Sequence, residues 1–196
     1  MLFGHAAIAE PRHGKLRHAE RSAREGFDLA FARDGRVDVR LDDWTIRQDG
    51  AVYRTDVAGD GFRMQLELRP TQPPLPQGDR GFSRKGPGTL SASYYYSQPQ
   101  LAVSGLVTLD GRERRVTGEA WFDHEWSSDF FEPDAGGWDW MGINLDGGGA
   151  LMSFRMRDRK GGELWSAATL RDANGVTRTF GPDEVQWTPG RTWQSP

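Results

Sequence analysis

Cysteine is absent from the 196 residues, which excludes a disulfide framework, a thiolate nucleophile and any cysteine-based zinc site. The same absence leaves the redox compartment open, because cytoplasm and periplasm both accommodate a thiol-free chain. A basic excess is missing too. The formal charge is −3 and the pI is near 5.8, with Lys and Arg spread along the chain, so the electrostatic footprint of a nucleic-acid binder is lacking. No apolar run approaches the roughly 20 residues that span a bilayer. The opening MLFGHAAIAEPRHGK lacks the basic-then-apolar order of a signal peptide, and a soluble chain without an export signal is the expectation. Catalytic signatures are also scarce. There is no GxSxG elbow, and Ser83, Ser97 and Ser104 carry no mark of a nucleophile. His5, His13 and His18 lie close in sequence without HExxH or paired spacing, so they are read as solvated or structural and no metal site is expected. The glycines of GDRGFSRKG do not fall in phosphate-loop order, and Arg84 and Lys85 are expected at a solvated loop tip.

What the chain has is alternation. In GFRMQLELR, Phe62, Met64, Leu66 and Leu68 fall on one face and Arg63, Gln65, Glu67 and Arg69 on the other, as a half-buried strand requires. VDVRL (37–41), LAVSGLVTL (101–109), WMGINL (140–145) and LMSFRMR (151–157) repeat the pattern, with hairpin tips expected at Asp110-Gly111 and at Gly147-Gly148-Gly149. Only RHAERSAREG (17–26) reads as a short helix, closed by Gly26. Many short antiparallel strands and one helix predict an all-β up-and-down barrel or a sandwich, the barrel favoured, over residues 1–196 as a single domain. More than twenty Pro- and Gly-rich residues between Arg69 and Tyr94 read as a long loop, either functional, as a lid across a barrel mouth would be, or disordered.

Four of the eight tryptophans lie in WFDHEW (121–126) and WDW (138–140). If VTGEAWFDHEW is a strand, Phe122, His124 and Trp126 share a face with Val116, Gly118 and Ala120, and that face is expected inside, with Asp123 and Glu125 outside or at the rim. In the next strand Asp139 either enters the same interior as His124, or Trp138 and Trp140 do; the pattern leaves both registers open. Met152, Phe154 and Met156 then supply an adaptable apolar wall, and YYYS puts Tyr94 and Tyr96 on one face and Tyr95 on the other. An imidazole beside a carboxylate in an aromatic cavity can act as a general acid, and aromatic faces can stabilise a carbocation, which fits protonation of an alkene. The alternative is a structural histidine satisfied by Asp139 or a carbonyl, with the tryptophans as core.

FGHAAI (3–8), HAER (18–21), LDDWTI (41–46), GFSRKG (81–86) with YYYS (94–97), AWFDHEWS (120–127) and GWDWMGINLDGG (137–148) together resemble the hydroxyneurosporene synthase (acyclic carotenoid 1,2-hydratase) and AttH-like family, whose members are often called predicted secreted hydrolases. The resemblance runs over nearly the whole chain. It implies two tandem lipocalin-like (calycin) β-barrels around an apolar pocket, of which this chain carries the first, with an EWWY-type opening strand and the second barrel lacking. For the hydratases it implies cofactor-free addition of water to a terminal isoprenoid double bond, with the residues matching His124 and Trp126 at the site. It also implies a periplasmic or secreted location, and the hydrolase label has no nucleophile behind it. Two readings follow: a binder of an apolar isoprenoid, lipid or polyketide, or a cofactor-independent lyase or isomerase. The candidate catalytic residues are His124 and Asp139; the candidate ligand contacts are Trp126, Phe122, Tyr94, Tyr96, Trp138, Trp140, Met152 and Phe154. The expected partners are an apolar small molecule and a second barrel domain, with no nucleic acid; membrane association stays open without a spanning segment.

Overall fold

The computed structural model describes residues 1–12, 14, 16–88, 90–128 and 132–191, so His13 lies outside the described residues. Fifteen strands are present among them: β1 (Leu2–Ala9), β2 (Leu16–Ala23), β3 (Ala30–Ala32), β4 (Asp38–Leu41), β5 (Trp44–Asp49), β6 (Val52–Gly59), β7 (Phe62–Pro70), β8 (Leu75–Pro76), β9 (Phe82–Arg84), β10 (Ala92–Leu109), β11 (Arg112–Trp126), β12 (Ala135–Asn144), β13 (Ala150–Asp158), β14 (Glu163–Arg171) and β15 (Thr177–Phe180). Apart from two 3-10 turns, at Asp146–Gly148 and Pro182–Glu184, no helix occurs among the described residues. The antiparallel all-β class expected from the alternation is present. The sheets have two, nine and four strands, are compatible with a lipocalin-like fold, and close no barrel among the described residues.

The chain forms two compact units, residues 1–71 with 101–120 and residues 72–100 with 121–196; β10 and β11 run through both. In the first unit β3 to β7 make a meander, and β10 continues it in register from Leu101↔Pro70 to Leu109↔Phe62. The β10–β11 tip is Asp110-Gly111, where φ values of 49° and 74° suit the twist of a tight hairpin. Ala6, Trp44 and Phe62 are buried together, with Ile8, Ala19, Val57, Met64 and Leu109 against them.

Residues 17–26 correct the helical expectation. Leu16–Ala23 is a strand paired with β1 from Leu2↔Ala23 to Ala9↔Leu16. Alternation puts Ala19 onto the Phe62 cluster while Glu20 faces solvent, so the ladder partner and the apolar contact outweigh the helix preference of Ala, Glu and Arg.

In the second unit β12, β13, β14 and β15 form an antiparallel sheet in sequence order. The Pro- and Gly-rich stretch expected to form a lid is instead tied to β10: Leu75 pairs with Ser97, and Phe82–Arg84 pairs with Ala92–Tyr94. Leu75 is 1% exposed and Gln77 donates from Nε2 to Ser97 Oγ at 2.8 Å, so this segment carries core residues.

Candidate functional site

Every candidate residue lies in the second unit, and β10 and β11 sort them by face. Tyr95 is 3% exposed while Tyr94 is 55% exposed, so the middle tyrosine of YYYS points into the core and its neighbours point away. On β11 the residues that meet the Tyr95 side are Trp121, Asp123 and Glu125. Ser97 Oγ donates to Asp123 Oδ1 at 2.6 Å, Trp121 Nε1 donates to the same oxygen at 2.7 Å, and Ser93 Oγ donates to Glu125 Oε1. This corrects the expectation that His124 and Trp126 lie inside: both are exposed, while the two acids, expected outside or at the rim, keep part of their surface in water but turn toward Tyr95. Both acids find hydroxyl or indole donors on the Tyr95 side, and these bonds offset the water the carboxylates give up there.

The opposite face gathers five of the candidates into one aromatic cluster. His124 stacks on Tyr96 with ring centroids 5.3 Å apart and planes 5° from parallel, and meets Trp126 edge-on at 5.1 Å. Trp126 stacks on Tyr94 at 5.6 Å, and Phe122 lies 6.3 Å from His124. Pro74, Pro76, Arg80 and the exposed side of Tyr94, Tyr96 and Trp126 line a cleft of about 300 Å³. Burial moves the Tyr96 phenol above its ordinary pKa, so it stays neutral in the physiological range. The imidazole nitrogens of His124 make no hydrogen bond among the described residues, and the ring is open to a ligand.

Trp138, Trp140 and Phe154 fall on the Tyr95 side instead. Tyr95, Met152, Phe154 and Met156 form a buried cluster, and Trp140 Nε1 donates to the Tyr95 hydroxyl at 3.1 Å. Met152, 1% exposed, is core, while Trp138, Trp140, Phe154 and Met156 border a cavity of about 120 Å³. Gly142 lets this packing close up, because a Cβ there would lie 2.7 to 2.9 Å from the Trp140 and Trp121 rings.

Asp139 joins neither group. Its Oδ2 accepts from Arg155 Nη2 at 2.6 Å and Nε at 3.0 Å, and Arg157 Nε lies 3.2 Å away. Trp138 and Trp140 lie on the Tyr95 side yet stay 56% and 43% exposed, so neither register open in the sequence is adopted as a fully inward face, and the pairing of Asp139 with His124 is not formed.

The residue that sequence reasoning missed is Lys85. Expected at a solvated tip, it is 6% exposed, because its own backbone N–H closes the loop onto Ser91 O at 2.7 Å and turns the side chain inward. Its Nζ lies 2.6 Å from Glu125 Oε1, donates to Ser83 Oγ at 3.2 Å, and sits 4.7 Å and 4.5 Å from the ring centroids of Tyr95 and Phe154. Desolvation pulls the Lys85 pKa below its ordinary value and Glu125 partly restores it. Desolvation likewise raises Tyr95 and Asp123; the hydrogen bonds that the Asp123 carboxylate accepts from Ser97, Trp121 and Tyr95 only partly oppose it. The sequence carries no local signal for Lys85, since Ser83, Arg84 and Gly86 around it are the company of an ordinary solvated loop. Elsewhere, His5 Nδ1 lies 3.5 Å from Glu20, and no cluster of three His, Asp or Glu suited to a metal occurs among the described residues.

Comparison with known proteins follows from this architecture. Residues 1–196 match the family model described as AttH-like. The chain belongs to the AttH-like family. Its structure aligns with a candidate AttH from Nitrosomonas europaea at a TM-score of 0.93 and 49% identity, covering 98% of this chain and 61% of that one. It also aligns with kievitone hydratase from Nectria haematococca at a TM-score of 0.68 and 16% identity, covering 90% of this chain and 54% of that one. The second likeness is one of fold. This AttH-like chain thus spans less than two thirds of the length of either solved relative. No match was found among the curated proteins.

Proposed function

We infer that the chain binds an apolar small molecule, of isoprenoid, lipid or polyketide type, on the face formed by Tyr94, Tyr96, Phe122, His124 and Trp126. The observation that carries this reading is the exposed aromatic stack itself. Large aromatic rings left half open to water beside a cleft of about 300 Å³ are what a ligand site needs: apolar area to cover and one polar group, His124, to orient what covers it. Isothermal titration with a fifteen-carbon isoprenoid alcohol tests it. Wild type should bind, and Trp126→Ala should weaken binding by about tenfold, since loss of one stacking partner and its buried area is worth at least ~1.4 kcal/mol. Equal affinity for the two proteins would remove the face from consideration.

A second reading, favoured by the fold shared with a hydratase and by the unbonded imidazole, is addition of water across a carbon–carbon double bond. A protonated His124 would deliver its proton to one carbon, the positive charge left on the other would lie against the Tyr96 and Trp126 rings, and water would add there and return a proton to the imidazole. His124→Ala should then abolish turnover of a bound alkene while leaving its affinity within about twofold. Under the binding reading there is no turnover to lose.

A further inference from the structure

On the other side of β10 and β11, the cavity of about 120 Å³ is bounded by Lys85, Tyr95, Glu125, Trp138, Trp140, Phe154 and Met156. Its walls are aromatic or apolar except at one point, where Lys85 and Glu125 meet. The hydrogen-bond inventory there is incomplete. An ammonium has three N–H groups; Glu125 Oε1 and Ser83 Oγ take two of them, and the third has no acceptor among the described residues. A carboxylate has two oxygens; Lys85 and Ser93 both approach Oε1, and Oε2 accepts from nothing described. One donor of Lys85 and one acceptor of Glu125, whose side chain is 34% exposed, thus lack a described protein partner at the polar edge of an otherwise apolar cavity.

We propose that this cavity is a second ligand site and that it takes a single-ring phenol, whose hydroxyl accepts from Lys85 Nζ and donates to Glu125 Oε2 while its ring lies against Trp138, Trp140 and Phe154. A hydroxyl is the one common group that donates and accepts from the same atom, so it satisfies both spare partners at once. Charge excludes the neighbouring chemistries. An anionic ligand meets the Glu125 carboxylate, and a cationic one meets the Lys85 ammonium that already occupies the faces of Tyr95 and Phe154. Size sets the upper limit: the cavity of about 120 Å³ is smaller than the roughly 150 Å³ that holds a benzene ring when fully enclosed, so a single ring reaching out between Trp138 and Trp140 is the most it takes. The way in is past Trp138 and Trp140, which are 56% and 43% exposed. The site uses none of the residues of the His124 face, so it stands or falls apart from the reading given above.

Titration of the full chain with 4-methylphenol, followed through the indole N–H and aromatic resonances, tests the assignment against two controls of similar size. The expected result is a saturable shift of Trp138, Trp140 and Phe154, with toluene at least tenfold weaker because it leaves both polar partners unpaired, and benzoate weaker still. Trp138→Leu, a change at the half-exposed rim, should reduce phenol affinity at least fivefold with the rest of the spectrum unmoved. Equal affinity for toluene and 4-methylphenol, shifts confined to His124 and Trp126, or no saturable shift in the folded chain would each overturn the proposal. The comparison of the three probes is made on wild type, so it does not depend on any variant folding.

Discussion

If Lys85 and Glu125 form a buried working pair, removing them one at a time and together gives a defined answer. Lys85→Met keeps the length and apolar stem of the side chain and removes the charge, and Glu125→Gln keeps shape and one acceptor. At an effective dielectric near 20, opposite unit charges about 4 Å apart attract by roughly 4 kcal/mol, and the Lys85–Glu125 separation of 2.6 Å is shorter. Two effects reduce the net value. Desolvating the ammonium costs part of the attraction, and 34% of the Glu125 side chain still faces water and is screened. The coupling left should be about 2 kcal/mol, above the roughly 0.2–1 kcal/mol of exposed pairs and below the about 3–5 kcal/mol lost when one partner of a fully buried pair is removed. Urea unfolding of wild type, both single variants and the double variant, read by tryptophan fluorescence, yields the coupling directly. Each single variant should melt roughly 4–8 °C below wild type, and the double variant should be no worse than the poorer single. The pH dependence adds a sign. The folded-state pKa of Lys85 is depressed, so the cost of holding its proton is complete below that pKa and is relieved as pH rises from there to the unfolded value near 10.5. Wild type should therefore gain stability relative to Lys85→Met across that alkaline window. A coupling below about 0.5 kcal/mol, the error of additivity for independent sites, would refute the picture of a buried pair.

Two further outcomes follow from the same faces. Asp123 has its pKa raised, so the folded chain binds a proton more readily than the unfolded one between pH 3.8 and the raised value, and stability should fall as pH increases through that window; Asp123→Asn should flatten that limb in melting curves taken from pH 3.5 to 7. Asp139→Asn should cost about 1–2 kcal/mol, because Arg155, only 14% exposed, loses the charged oxygen Oδ2 that accepts from both its Nε and Nη2; the His124 ring resonances, followed by NMR, should stay in place, whereas a His124–Asp139 pair would move them.

The strand pattern was legible because it is local. Alternation in GFRMQLELR identifies β7, and Asp110-Gly111 identifies a hairpin tip, since neither depends on what lies across the sheet. What alternation cannot supply is the direction of a strand's faces when both carry aromatic residues. WFDHEW offers Trp121 on one side and Phe122, His124 and Trp126 on the other, and hydrophobicity alone favours the second as the inner face. The structure turns the first toward Tyr95 through partners remote in sequence: Ser97 is 26 residues from Asp123, and Lys85 is 40 residues from Glu125. The same gap explains Lys85 itself, since a lysine in a glycine-rich loop is solvated unless a carboxylate from elsewhere receives it, and no local pattern announces that carboxylate. It explains RHAERSAREG as well, where a helix-forming composition yields to a ladder supplied by β1. The residues hardest to place from sequence were thus the charged ones, Lys85, Asp123, Glu125 and Asp139, and each proved to be held by a partner on another strand or loop. Donors that converge on a strand's acids orient it as surely as apolar contacts do, so in this chain the hydrogen-bonded side of β11 turns toward Tyr95, and its other side presents stacked aromatic rings and an imidazole to solvent.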